Sequence, residues 1–214
     1  NQLISSGHFY YNDWANTIKR KQSKIKKIGI ALTNDFLLRR YKNTNFLKNL
    51  HDLNNDVDLV KNNWRLKQMN FDMYYFTIIY SLISKLGQKY KISLRKHTLD
   101  VETDFNFLNK YNVDIDTNGN VNEWIQDQDV IISTVSSINV DAYINKTPHI
   151  SLMSLMSNDF FFEAYGSVNF KNYLEPNSFK PKSINELINN IDKYKFKKNK
   201  LLDIKLKKYF SYPY

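Results

Sequence analysis

The sequence predicts an α/β fold in which a parallel sheet is flanked by helices. Short apolar runs alternate with helical stretches between Lys26 and Leu152, the pattern of strands joined by crossover helices. The strongest of these runs, such as Asp129–Ser133 (DVIIS), is continuously apolar in its centre, as a strand buried on both faces requires. The 214 residues are 42% hydrophobic and 15% aromatic, enough for a real core and too apolar for a disordered chain.

In chain order, Lys26–Thr33 (KKIGIALT) reads as the first strand. Residues 43–60 are polar and Asn-rich, which predicts a loop or short helix. From Lys61 to Lys89, Trp64, Met69, Met73, Phe76, Ile79, Leu82, Ile83 and Leu86 recur at helical spacing. Gly87 supplies a stop signal for that helix. Lys91–Arg95 (KISLR) reads as a strand, Val101–Lys110 as a helix and Val113–Ile115 as a short strand. Asp116–Asn120 (DTNGN) is a turn, followed by a short helix at Val121–Gln126. Asp129–Ser133 is a strand, Ser137–Asn145 a helix and Pro148–Leu152 another strand, with a further one expected at Gly166–Val168. Ser183–Tyr194 opens with a capping box, Ser183 followed by Glu186.

Composition narrows the function classes. The absence of cysteine excludes disulfides and thiolate metal sites. The net charge is +10, and the cations concentrate at Lys19–Lys27 and Lys193–Lys208. Such blocks suit phosphorylated ligands or an anionic membrane face, and equally two solvated surfaces. Charge alone raises nucleic-acid binding, but no recognition motif accompanies it, so nucleic acid is not an expected partner. The most apolar stretch, Met73–Ile83, is shorter than the roughly 20 residues of a membrane span. No signal peptide is evident, and the chain begins with Asn1. A cytoplasmic location is expected, with peripheral contact at the inner membrane, for what reads as a fragment of a longer protein.

Two strand ends carry candidate chemistry. Arg95-Lys96-His97-Thr98 follows KISLR, and cations beside a hydroxyl suit an anion. His97 offers a proton to a phosphate or leaving group. Ser133-Thr134-Val135-Ser136-Ser137 follows DVIIS and precedes a helix, where hydroxyls and amides favour an anion. Taken singly, the first is also what a solvated loop looks like, and the second an ordinary helix cap. Their order on strand ends of one sheet favours a phosphate site, because ligands of parallel sheets bind at carboxyl ends of strands. Phe160, Phe161, Phe162, Tyr165 and Phe170 suit core or interdomain packing better than a sugar platform. Glu163, among them, is a minor candidate for touching a donor sugar or ribose.

The segment Lys91–Ser151 resembles the C-terminal donor domain of GT-B glycosyltransferases that use cytidine-activated donors. The matching pieces are Arg95-Lys96-His97, Asp129–Ser133, Ser136-Ser137, Asp141-Ala142, Lys146-Thr147-Pro148 and His149-Ile150-Ser151. The nearest likeness is to bacterial surface-carbohydrate enzymes similar to Kdo and sialic-acid transferases, of capsule or lipopolysaccharide synthesis. Ser5–Tyr10 and Ile30–Phe36 sit where that group has further motifs. Thr98 stands where the family has proline.

The resemblance implies a Rossmann-like nucleotide-sugar-binding domain over residues 26–195, preceded by a linker or domain end at 1–25 and followed by a basic segment at 196–214. It implies a transferase that moves a sugar from a CMP-linked donor to a glycan or lipid-linked glycan acceptor, with no cofactor and no metal. His97 would act at the leaving nucleotide, and Arg95, Ser136 and Ser137 would hold its phosphate. The catalytic base would come from another domain. Teichoic-acid polymerases, which transfer polyol phosphate from CDP donors, resemble the chain at the same Ser-Ser motif. A non-catalytic, degenerate nucleotide-binding module is the third reading.

Overall fold

A computed structural model describes residues 24–32, 59–97, 105–116, 119–134, 136–156 and 177–204. Five strands form one all-parallel sheet: β1 (Lys27–Ala31), β2 (Lys91–Arg95), β3 (Val113–Asp116), β4 (Val130–Ser133) and β5 (His149–Ser151). The helices are α1 (Leu59–Leu86), α2 (Val121–Gln126), α3 (Ile138–Ile144) and α4 (Ile184–Asn190). The strand order is β3-β2-β1-β4-β5, so the architecture is the expected α/β, Rossmann-like one. Phe179 adds an isolated parallel bridge to Ile150 at the β5 edge.

Period-two alternation gives the sheet two different faces. Ile28, Ile30, Ile92, Leu94, Val130, Ile132 and Ile150 share one core with Leu82, Ile83 and Leu86 of α1 and Leu187 of α4. Ala31 and Ile131 pack on the other face against Trp124 and Ile125 of α2 and Ile138 and Ala142 of α3. Gly29 lies on this second face. A Cβ there would stand 2.8 Å from the Trp124 ring and 2.7 Å from Ile131 Cδ1, so glycine is what lets the indole lie against the sheet. The indole Nε1 donates to Ser93 Oγ at 2.8 Å.

Local chemistry sets the element ends. Asn120 caps α2, its Oδ1 accepting from the amides of Asn122 and Glu123. Ser183 caps α4 by accepting from Glu186 N–H at 3.1 Å. The Glu186 carboxylate reaches back to Lys182 N–H at 2.6 Å, one residue beyond the Ser183 amide that a capping box would pair. At the end of α3, Lys146 is left-handed with φ 55°. Lys146 N–H bonds Tyr143 O and Thr147 N–H bonds Ala142 O, a Schellman closure with Pro148 just beyond. Asp129 ties the start of β4 to β1 by accepting from the amides of Lys26 and Lys27, each at 2.9 Å.

One expectation changes. The helix expected at Val101–Lys110 is a 3-10 helix over Asn106–Tyr111, closed by left-handed Asn112; residues 101–104 lie outside the described part. Leu108 is its one buried residue, too little apolar surface to pack an α-helix in place. Gly87 ends α1, but its φ is not left-handed, and a Cβ would stand 2.2 Å from Tyr111 O. The helix ends at Leu86, directly before the glycine expected to stop it, and close backbone approach is what excludes a side chain there. The expected loop or short helix before α1, the strand at Gly166–Val168, the aromatic run 160–170 with Glu163, and Thr98 lie outside the described residues, apart from the first turn of α1. No helix among the described residues is long and apolar enough to cross a membrane.

Candidate functional site

The chain order of the strands reverses direction between β1 and β4. In open parallel sheets, the crevice at such a reversal, outside the carboxyl ends of the strands, is where ligands bind. The segment that leaves β4 there is Thr134–Ser137. The segment that leaves β2, β1's other neighbour, is Lys96–His97. The two sequence motifs therefore flank the end of β1. Two inter-strand spacings, about 10 Å, separate their strands. Leu32 N–H donates to Arg95 O at 3.0 Å, so the β1–β2 ladder continues to the point where the His97 segment starts.

Arg95 is 8% exposed on the second face of the sheet. Its guanidinium forms an ion pair with Asp116, the residue beside it in β3. It also donates to Gly119 O at 3.1 Å and lies 5.7 Å from the centre of the Trp124 ring. Its charge is thus matched inside the fold and locks the ends of β2 and β3 to the turn before α2. His97 is half-buried at the end of the described segment.

Ser137 is exposed and Ser136 half-buried. Ser137 has helical dihedrals and its hydroxyl makes no capping bond. Ser136 Oγ accepts from Ile138 N–H at 3.4 Å, a long contact. The amides of Asn139, Val140 and Asp141 already bond the carbonyls of Ser136 and Ser137. An incoming anion would meet hydroxyls here, more than unused amides.

Beneath this loop lies a buried polar chain in which the sequence had pointed to none of the pairings. Ser133 Oγ donates to Thr134 O at 2.9 Å and sits 2.8 Å from His149 Nε2. A hydroxyl has one proton, so with that proton on Thr134 O, the imidazole must donate through Nε2–H. His149 Nδ1 then accepts from Ser178 Oγ at 2.6 Å. Burial pushes the His149 pKa down to about 3, so the ring is neutral and both nitrogens are satisfied. The signal was present in the sequence as a histidine, His149, within an expected buried strand, because a buried histidine must find partners.

No family model matches the chain, and no curated protein does. Among solved structures, the wall teichoic acid polymerase TagF is similar to it, with 21% identity and a TM-score of 0.43 over 94% of this chain. The chain spans 40% of the length of that polymerase.

Proposed function

We propose that the chain is the donor-binding half of a glycosyltransferase that builds a bacterial surface polysaccharide. Its substrate is a CMP-linked sugar, of Kdo or sialic-acid type, transferred to a glycan or lipid-linked glycan. The observation that carries the reading is the strand order: it puts Ser136-Ser137 at the topological switch point and His97 one strand beyond it.

In this reading the Ser136 and Ser137 hydroxyls donate to the donor phosphate. As the sugar–oxygen bond breaks, its electron pair stays on the CMP phosphate, and His97 stabilises that charge or delivers a proton to it. Arg95 serves through its pair with Asp116, holding the end of β2 that carries His97. The base that activates the acceptor hydroxyl belongs to another domain. The exposed Lys195, Lys197, Lys198 and Lys200, beside exposed Leu201 and Ile204, support peripheral contact with an anionic membrane at the cytoplasmic side.

Calorimetry of the folded chain with CMP, CDP and UDP tests the cytidine preference. CMP is expected to bind and UDP not to. His97→Ala should weaken CMP binding by about tenfold to a hundredfold, the loss of one charge-assisted hydrogen bond. Equal binding of all three nucleotides, or none, removes the reading. Phosphoryl transfer from a CDP-polyol would use the same strand ends, and the linkage in the product formed by the full-length protein separates the two reactions.

A further inference from the structure

His149 is the buried titratable group to which the donor reading gives no role, and the chain of hydrogen bonds through it has a direction. A neutral imidazole donates from one nitrogen and accepts at the other, so its two contacts admit two proton arrangements. In the first, Ser178 Oγ donates to Nδ1, Nε2–H donates to Ser133 Oγ, and Ser133 donates on to Thr134 O at 2.9 Å. In the second, both donations at the ring reverse. The Ser133 proton then goes to Nε2, and its bond to Thr134 O is lost. Ser133 and Thr134 are 0% and 2% exposed, so no solvent is at hand to replace a bond lost between them. The first arrangement is therefore favoured, and each bond in it fixes the next.

Both ends of the chain are tied to the sheet. Phe179 N–H bonds His149 O at 2.8 Å, and Ser151 N–H bonds Phe179 O at 2.9 Å. These bonds hold Ser178 alongside the start of β5, where it is half-buried and 2.6 Å from Nδ1. At the other end, Thr134 is the first residue after β4. It opens the segment that presents Ser136 and Ser137. A peptide unit is planar, so a carbonyl held by Ser133 Oγ sets the plane in which the backbone leaves the strand.

We propose that His149 is a positioning residue of the donor site: Ser178 selects its Nε2–H tautomer, the ring directs the Ser133 proton onto Thr134 O, and that bond sets the course of the Ser136-Ser137 segment toward the donor phosphate. The role rests on the donor reading for its ligand, while the tautomer is independent of it. A hydroxyl beyond β5 thereby controls phosphate affinity without touching the ligand.

The test uses the 214-residue chain. Long-range proton–nitrogen NMR reads the imidazole tautomers, and His149→Gln identifies the His149 signals among the four histidines. The native ring should be Nε2–H near neutral pH. Ser178→Ala takes the donor from Nδ1, so the Nδ1–H tautomer should appear. Calorimetry should then show CMP affinity about three- to tenfold lower than in the native chain, the range of one hydrogen bond. A native Nδ1–H ring overturns the proposal, whether or not the variant folds. So does affinity lost in Ser178→Ala while its ring stays Nε2–H, which is the mark of a purely structural role. CMP bound equally by the native chain and Ser178→Ala removes the positioning role alone. A native Nε2–H ring in a chain that binds no CMP removes the donor reading, and the positioning role with it.

Discussion

Replacing His149 with glutamine should flatten the acid side of the stability profile. In the native chain the ring is buried between Ser133 and Ser178 and its pKa is pushed down to about 3. In the unfolded chain the same group titrates near 6.5. The unfolded state therefore binds the extra proton first, and stability is lost as pH falls from about 6.5 toward 3. From those two values, the loss from this group between pH 8 and pH 5 is about 2 kcal/mol, rising to about 5 kcal/mol below pH 3. Urea unfolding of the native chain and His149→Gln at both pH values reads it directly. His8, His51 and His97 are common to both proteins and cancel in the difference. Glutamine keeps a donor and an acceptor but does not titrate. The variant is expected to be less stable at pH 8, with the gap closing by about 2 kcal/mol at pH 5. Parallel profiles, or a His149 ring resonance that titrates near pH 6.5 in the folded native chain, would refute the buried neutral relay.

Two further substitutions probe the packing that supports the site. Gly87→Ala would place a methyl group 2.2 Å from Tyr111 O, and because that atom is backbone, the C-terminal end of α1 must shift; a loss of about 2–3 kcal/mol in the urea-derived stability is expected. Ser93→Ala removes the acceptor of the buried Trp124 indole N–H and should cost about 1–3 kcal/mol, with an altered tryptophan environment visible in near-ultraviolet circular dichroism.

Most element types were legible in the chain because the signals are local. KISLR is a strand over its whole predicted length, Lys91–Arg95, and Val121–Gln126 is the short helix expected after the DTNGN turn. The order of the two motifs was also legible, since both follow strands in the sequence. Local signals gave less than the full reason elsewhere. Gly87 marks the helix end as expected, but what a side chain there would meet is Tyr111 O, a carbonyl 24 positions away. The helix expected around Val101–Lys110 is 3-10 over Asn106–Tyr111, where Leu108 is the one buried residue.

The sequence by itself determined the class of the fold, because apolar periodicity and capping residues act over a few positions. It also determined which residue types stand at the strand ends. Tertiary structure alone decided that β1 and β4 are neighbours, so that the His97 and Ser136-Ser137 segments flank one strand end. It alone matched Arg95 with Asp116 and threaded Ser133, His149 and Ser178 into one buried chain. Those pairings join residues 16 to 29 positions apart. Burial, which denies water to their polar groups, forces each to find a partner that no local pattern could name.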